Sequence, residues 1–384
     1  MSITGHATIE GTTRYRERLE RETIAANHFR LEQNLWLSSL GIGTYLGKPD
    51  AETDARYTEA VTRAVELGAN VIDTAANYRF QRSERSIGAA LQALTGNNGG
   101  AATADSTIAR DEIVVCTKGG YIPFDTDAPG GQEGVRRYIE ETFVKTGVAD
   151  FSDIAGGSHC MTPKYLAHQI DQSLRNMNLT AIDVYYIHNP ESQLGSVSPA
   201  EFETRLRAAF EALEHSVAEG KIKNYGVATW NGFRVAANAR GFHSLERMVE
   251  LAREVGGAHH HFRFIQLPVN LAMPEALTLS NQTFQGAPVS VLEAARALEV
   301  TVVASASILQ GKVARDLSGE IREPLGSLAS DALTAIQFTR STPGITTALV
   351  GMSRRAHVEE NLQLARLEPA RPEQYQRLFS TGEE

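Results

Sequence analysis

Cysteine is nearly absent from this chain: Cys116 and Cys160 are the only two in 384 residues. A disulfide framework is therefore excluded, although one bridge would still be possible, and a reducing compartment such as the cytoplasm is the expectation. The chain also lacks any run of eighteen apolar residues. Its polar opening, "MSITGHATIEGTTRYRERLERETIAANHF", has no apolar core of a secretory signal, so an unexported protein without membrane spans is expected. Positive charge is not in excess. A formal net charge of -9 argues against a general nucleic-acid binder, which needs a basic surface to displace counterions from phosphates. A Gly-rich dinucleotide fingerprint after an early strand is missing too, which counts against a doubly wound fold.

What is present is the balance of an ordinary folded protein, 42% hydrophobic and 22% charged. Short apolar, β-branched runs recur: "LSSLGIG" at 37–43, "NVIDT" at 70–74, "EIVVCT" at 112–117, "IDVYYIH" at 182–188, "IKNYGVAT" at 222–229, "FRFIQL" at 262–267, "VTVVAS" at 300–305 and "TTALVG" at 346–351. Between them, residues 55–67, 164–176, 201–219, 245–255, 290–298 and 328–340 carry apolar side chains at intervals of three and four, as helices with one face on a sheet do. Eight such strands alternating with helices predict an α/β fold of the (β/α)8 TIM-barrel type in a single domain, spanning 31–370. Residues 1–30 read as a polar N-terminal extension and 371–384 as a C-terminal tail. "FRLEQNLW" before the first strand suits a hairpin closing the barrel floor.

Two stretches break the repeat. "TGNNGGAATADSTIAR" has the composition of a mobile surface loop. The region 121–162, containing the helix-like "GVRRYIEETFVKTG", leaves the third strand at the end where such barrels carry their sites, and can act as lid or specificity wall.

In a barrel of this type the residue leaving each strand faces the pocket. Those positions are polar: Thr44 and Tyr45 after the first strand, Asp73 with Tyr78 after the second, Lys118, His188, Thr229, Gln266 and Ser305 on the next five, and Gly351, Ser353 and Arg354 at the eighth. Each has a plain structural alternative. Asp73 could cap a helix, Tyr78 could pack, Lys118 could be a solvated loop lysine and His188 a hydrogen-bonded core histidine. Together, on three adjacent strands, they make a coupled proton-transfer site. A phenol titrates near 10, so a Tyr acting near neutrality needs its anion stabilised by about 3 units, or roughly 4 kcal/mol. An adjacent ammonium supplies such stabilisation, a carboxylate keeps that ammonium charged, and an imidazole can donate to a carbonyl oxygen.

The segments "DTAANY", "TKGG" and "YYIHNP" resemble the three catalytic segments of the aldo-keto reductases. "LGIGTYLG", "SERSIGAAL", "GKIKNYGVA" and "LVGMSRRAHVEENL" resemble that family's opening strand, first helix, fifth strand, and last strand with its cofactor-binding helix. The resemblance runs over about residues 30 to 365. It implies an enzyme that exchanges hydride between NADP(H), favoured over NAD(H), and an aldehyde, ketone or sugar, without metal. Tyr78 would be the general acid/base, Lys118 and Asp73 its partners, and His188 the group that orients the carbonyl. The cofactor set implied is Gly43, Thr44, Tyr45, Ala228, Thr229, Gln266, Ser305, Ile308, Gln310, Gly311, Gly351, Ser353, Arg354, Glu360 and Asn361.

Departures from the family pattern bear on the nicotinamide. Ala228 and Thr229 stand where the family has Ser-Asn, Ser305 where it has a stacking aromatic, and His357 where it often has Arg. These changes keep two other readings open: a nicotinamide-binding regulator or scaffold with little turnover, and a lyase or epimerase on the same barrel. Trp230, "YIPFDTDAPGG" and "NLAMPEALTLSNQTFQGAP" are expected near the substrate, a small carbonyl or alcohol compound. The triple histidine 259–261 is expected to hold no metal, because consecutive residues do not share a helix face and no carboxylate or Cys is close in sequence. Oligomeric state is not legible.

Overall fold

The computed structural model describes residues 2–21, 24–96 and 108–379. Its strands are β1 (Phe29–Glu32), β2 (Leu35–Ser38), β3 (Leu40–Gly43), β4 (Val71–Asp73), β5 (Val114–Gly119), β6 (Ile182–His188), β7 (Ile222–Ala228), β8 (Phe262–Pro268), β9 (Gln282–Phe284), β10 (Ala287–Val289), β11 (Thr301–Ser305) and β12 (Ile345–Gly351). The α-helices are α1 (Ile9–Glu20), α2 (Ala51–Glu66), α3 (Arg82–Thr95), α4 (Gly131–Ile139), α5 (Pro163–Met177), α6 (Pro199–Ala218), α7 (Leu245–Gly256), α8 (Glu275–Thr278), α9 (Val291–Ala297), α10 (Gly319–Arg322), α11 (Asp331–Ser341), α12 (Arg355–Asn361) and α13 (Pro372–Gln376).

Eight parallel strands close in the order β11-β12-β3-β4-β5-β6-β7-β8, the expected (β/α)8 barrel. The strands are buried along nearly their whole length, as strands with side chains in the barrel on one face and helices on the other must be. The first apolar run divides. Leu35–Ser38 pairs with Phe29–Glu32 as an antiparallel hairpin, and only Leu40–Gly43 enters the barrel. Ser39 makes the break: its N–H donates to the His28 carbonyl at 2.6 Å, and its hydroxyl meets His28 Nδ1 at 3.0 Å.

The N-terminal segment, expected as a polar extension, is packed. Thr8 caps α1, whose Tyr15 and Leu19 are buried, and the Tyr15 hydroxyl donates to the Val65 carbonyl. Asp183 anchors this segment from within the barrel. One carboxylate oxygen accepts from Ala7 N at 2.6 Å, and the other from Arg110 Nη2 and Val115 N at 2.7 Å each. The C-terminal segment likewise packs, with Tyr375 buried and its hydroxyl 2.7 Å from Thr342 Oγ1.

The segment after β5 is helical from Gly131 to Val144, as expected, and buries Ile122, Ile139, Phe143, Ile154 and Tyr165 together in a small core of its own. The Gly/Ala/Thr-rich loop between α3 and β5 lies for the most part outside the described residues.

Candidate active site

The register of β4 on β5 places Asp73 opposite Cys116, two residues before Lys118. Past the end of β4 the chain continues along β5, with Thr74 N donating to Cys116 O at 3.0 Å and Ala76 N to Lys118 O at 3.1 Å. This run carries Tyr78 to the lysine. Arg79, Phe80 and Gln81 follow with φ of 48, 56 and 66°, three consecutive side-chain-bearing residues in the left-handed region. Such backbone persists only where its surroundings over-determine it. Arg79 supplies the restraint: its buried guanidinium bonds Asp54 Oδ1 at 2.8 Å and the Ser83 and Ser86 hydroxyls at 3.0 Å each.

The four predicted catalytic residues converge. Lys118 Nζ lies 2.5 Å from Asp73 Oδ2, 2.7 Å from Thr74 O and 3.5 Å from the Tyr78 hydroxyl. The Tyr78 and His188 rings meet edge-on at 5.8 Å between centroids. Tyr78, His188 and Asp73 line a cavity of about 760 Å³ at the C-terminal mouth of the barrel, while Lys118 sits behind them, 1% exposed.

Burial and the pair itself set the charges. Loss of solvation opposes a charged Lys118, but Asp73 and the Tyr78 hydroxyl together hold its pKa above the usual lysine range. Burial pushes Asp73 up; Lys118, and Gln266 donating at 2.8 Å to its other oxygen, pull it back. For Tyr78 the result corrects the sequence-based expectation of a lowered pKa. Burial outweighs Lys118 and the phenol is raised above its ordinary value. That direction corresponds to a neutral phenol, not a standing phenolate. Burial, with Lys118 and His159 nearby, drives the His188 pKa well below the usual histidine value, so its ring is neutral.

Of the residues singled out for a cofactor, Gly43, Thr44, Tyr45, Ala228, Thr229, Gln266, Ser305, Ile308, Gln310, Gly311, Gly351 and Ser353 line the same cavity. Three do not. Arg354 is the exposed residue at the start of α12, Glu360 accepts from Ser330 Oγ at 2.8 Å, and Asn361 is buried in the helix. Thr44 bonds Thr74 Oγ1 at 2.9 Å, and Gln266 commits its amide nitrogen to Asp73. Thr229 Oγ1 is buried and without a partner among the described residues.

Sequence reasoning missed Leu46, Asn77, Asn189, Leu309 and Leu349 in the cavity wall. Asn189 was within reach of it, since it follows His188 directly in "YIHNP". On the substrate side Trp230 and Tyr121 are present as expected, but "NLAMPEALTLSNQTFQGAP" contributes nothing to the wall, and of "YIPFDTDAPGG" only Tyr121 does. The triple histidine lies before β8, at the opposite end of the barrel. His261 Nδ1 there meets Glu214 Oε2 at 2.7 Å.

The sequence model of the Aldo/keto reductase family matches residues 39–252. L-glyceraldehyde 3-phosphate reductase of Escherichia coli K12 is 26% identical over 216 residues, 56% of this chain and 45% of that protein. The chain thus spans less than half the length of that relative. D-threo-aldose 1-dehydrogenase of a Pseudomonas species is 24% identical over 335 residues, covering 83% of this chain and 85% of its own. An aldo/keto reductase from Klebsiella pneumoniae, solved in complex with NADP and acetate, superposes with a TM-score of 0.59 at 18% identity, over 94% of this chain and 98% of that one.

Proposed function

Since the chain belongs to the aldo/keto reductase family, we propose that it is an NADP(H)-dependent oxidoreductase interconverting a small carbonyl compound, aldehyde, ketone or sugar, and its alcohol. The observation that carries this reading is the Tyr78 hydroxyl, in the wall of the cavity at the barrel mouth, 3.5 Å from a buried, Asp73-paired Lys118. Bound NADP(H) would supply or accept the hydride. The chain supplies everything else. Neutral His188 has one ring N–H to donate, and a carbonyl oxygen held between it and Tyr78 would be both oriented and polarised. As the oxygen gains charge, Tyr78 transfers its proton, and Lys118 stabilises the phenolate left behind. Thr74 and Asp73 hold the ammonium in place throughout.

The cavity fits the cofactor on two counts. It reaches from Tyr78 past the ends of β7, β8 and β11 to Gly351 and Ser353, and the orphaned Thr229 hydroxyl offers a bond to an amide ligand. A 2′-phosphate would find Arg354, whose planar guanidinium suits phosphate oxygens. Cys116 and Cys160 are both free and buried, which supports a reducing compartment such as the cytoplasm. Among the described residues no helix is long and apolar enough to cross a membrane.

The test is NADPH oxidation and NADP reduction with a panel of aldehydes, ketones, sugars and alcohols, repeated with Tyr78→Phe. Turnover that falls about a hundredfold or more in the variant, with cofactor affinity retained, is the expected result. Absence of turnover with every substrate, or full activity in Tyr78→Phe, would overturn the reading.

A further inference from the structure

The segment inserted after β5 returns to the barrel at His159, and the two ends of the segment are zipped together: Ile122 N donates to Ser158 O and Cys160 N to Gly120 O, each at 2.8 Å. This closure leaves the His159 ring fully buried, its Nε2 2.8 Å from the carbonyl oxygen of His188. Gly120, at φ +136°, is required there, because a Cβ would lie 2.8 Å from that same nitrogen. On the other side Gln193 Nε2 meets His159 Nδ1 at 2.8 Å and donates to the His159 carbonyl at 3.0 Å. Arg205 Nη1 donates to Gln193 Oε1 at 2.9 Å, so the orientation of the amide is fixed.

These contacts determine the tautomer. A carbonyl only accepts, so Nε2 carries the proton; the Gln193 amide nitrogen only donates, so Nδ1 presents its lone pair. One neutral form satisfies both. Burial moves the His159 pKa down to about 4, in keeping with that form.

The peptide that His159 grips is the one that ends β6. Its N–H belongs to Asn189, in the left-handed region at φ 49°, and donates to Ala228 O at 2.6 Å. The carbonyl is held from the insertion and the N–H from β7, so the plane of the His188–Asn189 peptide has little freedom. Because β6 holds the other side of His188 in register with β7, fixing that plane fixes the residue's ψ, and with it the direction of the Cα–Cβ bond. Tyr121, between the two histidines, packs edge-on against His159 at 5.2 Å and against His188 at 5.1 Å.

We propose that His159 is a positioning residue for His188: the inserted segment exists in part to clamp the His188 carbonyl and so aim the imidazole at the substrate oxygen. The catalytic half of this claim rests on the reading of His188 given above.

The experiment uses the full chain and three variants, His159→Phe, His159→Gln and Gln193→Leu. It measures steady-state reduction of glyceraldehyde by NADPH, NADPH affinity by fluorescence, and the NMR resonances of the His188 ring. His159→Phe is expected to lower kcat about tenfold to a hundredfold, the scale of a small misplacement of a reacting group, while NADPH affinity holds. The His188 resonances should shift. Gln, whose side-chain amide can replace the lost donor, should recover part of kcat and move the resonances back. If His159→Phe does not fold, Gln193→Leu carries the test, with a smaller loss of the same pattern. A folded His159→Phe with unchanged kcat, an unmoved His188 signal, or a matching loss of NADPH affinity would overturn the proposal. Wild-type protein inactive on glyceraldehyde and on every other compound of the carbonyl and alcohol panel would overturn the oxidoreductase reading instead, and the resonances alone would then decide whether His159 positions His188.

Discussion

Gln266 and Asp73, 193 residues apart in the chain, are joined by a 2.8 Å hydrogen bond from the Gln266 amide nitrogen to Asp73 Oδ1. With Lys118 on Oδ2, both oxygens of this buried carboxylate are engaged, and the tetrad is fastened across the barrel from β8. Gln266→Leu would leave Oδ1 buried without a donor. Leaving a buried acceptor without its donor costs about 1 to 3 kcal/mol, and more when it is charged, so the urea midpoint should fall correspondingly. An unchanged midpoint would show that the bond contributes nothing.

Arg354 and Arg355 are adjacent but differently engaged. Arg355 pairs with Glu359 at 2.9 Å and approaches Glu59 at 3.6 Å, whereas Arg354 is exposed and has no ion pair among the described residues. Arg354→Ala is therefore expected to weaken NADPH about tenfold, equivalent to roughly 1.4 kcal/mol, and NADH far less. Arg355→Ala should have the smaller effect on both. Titration of each variant with the two nucleotides checks this, and equal losses for NADPH and NADH would exclude a 2′-phosphate contact at Arg354.

How far these relations can be read from the chain depends on their range. The strands and the ends that deliver Asp73, Lys118 and His188 are local patterns, and they are legible because the period of the barrel puts every strand end in one place. The break at Ser39 was not, since the two serines of "LWLSSLGIG" are no turn signal by themselves and the bend is held by His28 from outside the run. Nor was the docking of α1, a helix rich in Arg and Glu that hides Tyr15 and Leu19 on one face. The Gln266 bond and the His159 clamp depend on contacts between distant segments, for which a single sequence carries no local signal. The sign of the Tyr78 shift was missed for another reason. A neighbouring lysine can be read from the chain, but the depth of burial that opposes it cannot.

Acid should weaken the fold before ordinary carboxylates titrate. Burial lowers His28 to about 3 and His159 to about 4, against an ordinary value of 6.5. The folded state thus resists protonation that the unfolded chain accepts below 6.5, so stability declines as pH falls through that point and levels off only near the folded values. At pH 5 the loss is about 2 kcal/mol for each histidine. Urea unfolding at pH 7.5 and pH 5 measures it, and replacing His28 with Gln should flatten the slope even if it lowers stability at both values.

The raised pKa of Tyr78 separates the two directions of the reaction. Reduction needs the phenol protonated, the form that persists until pH exceeds its folded pKa, which burial places above the ordinary tyrosine value. The chemical step of reduction is therefore expected to be flat through neutrality and to fall only on the alkaline side. Oxidation of the alcohol needs the phenolate, so its rate should climb with pH over the same range. His188, already neutral well above its lowered pKa, should add no break near 6.5. Lys118→Met removes the ammonium that opposes the effect of burial, and should move the alkaline limb of both profiles further up. Single-turnover rates from pH 5.5 to about 11, past the ordinary tyrosine value, measure this. A break near neutrality in the wild type, or a limb that moves down in Lys118→Met, would mean that another group delivers the proton.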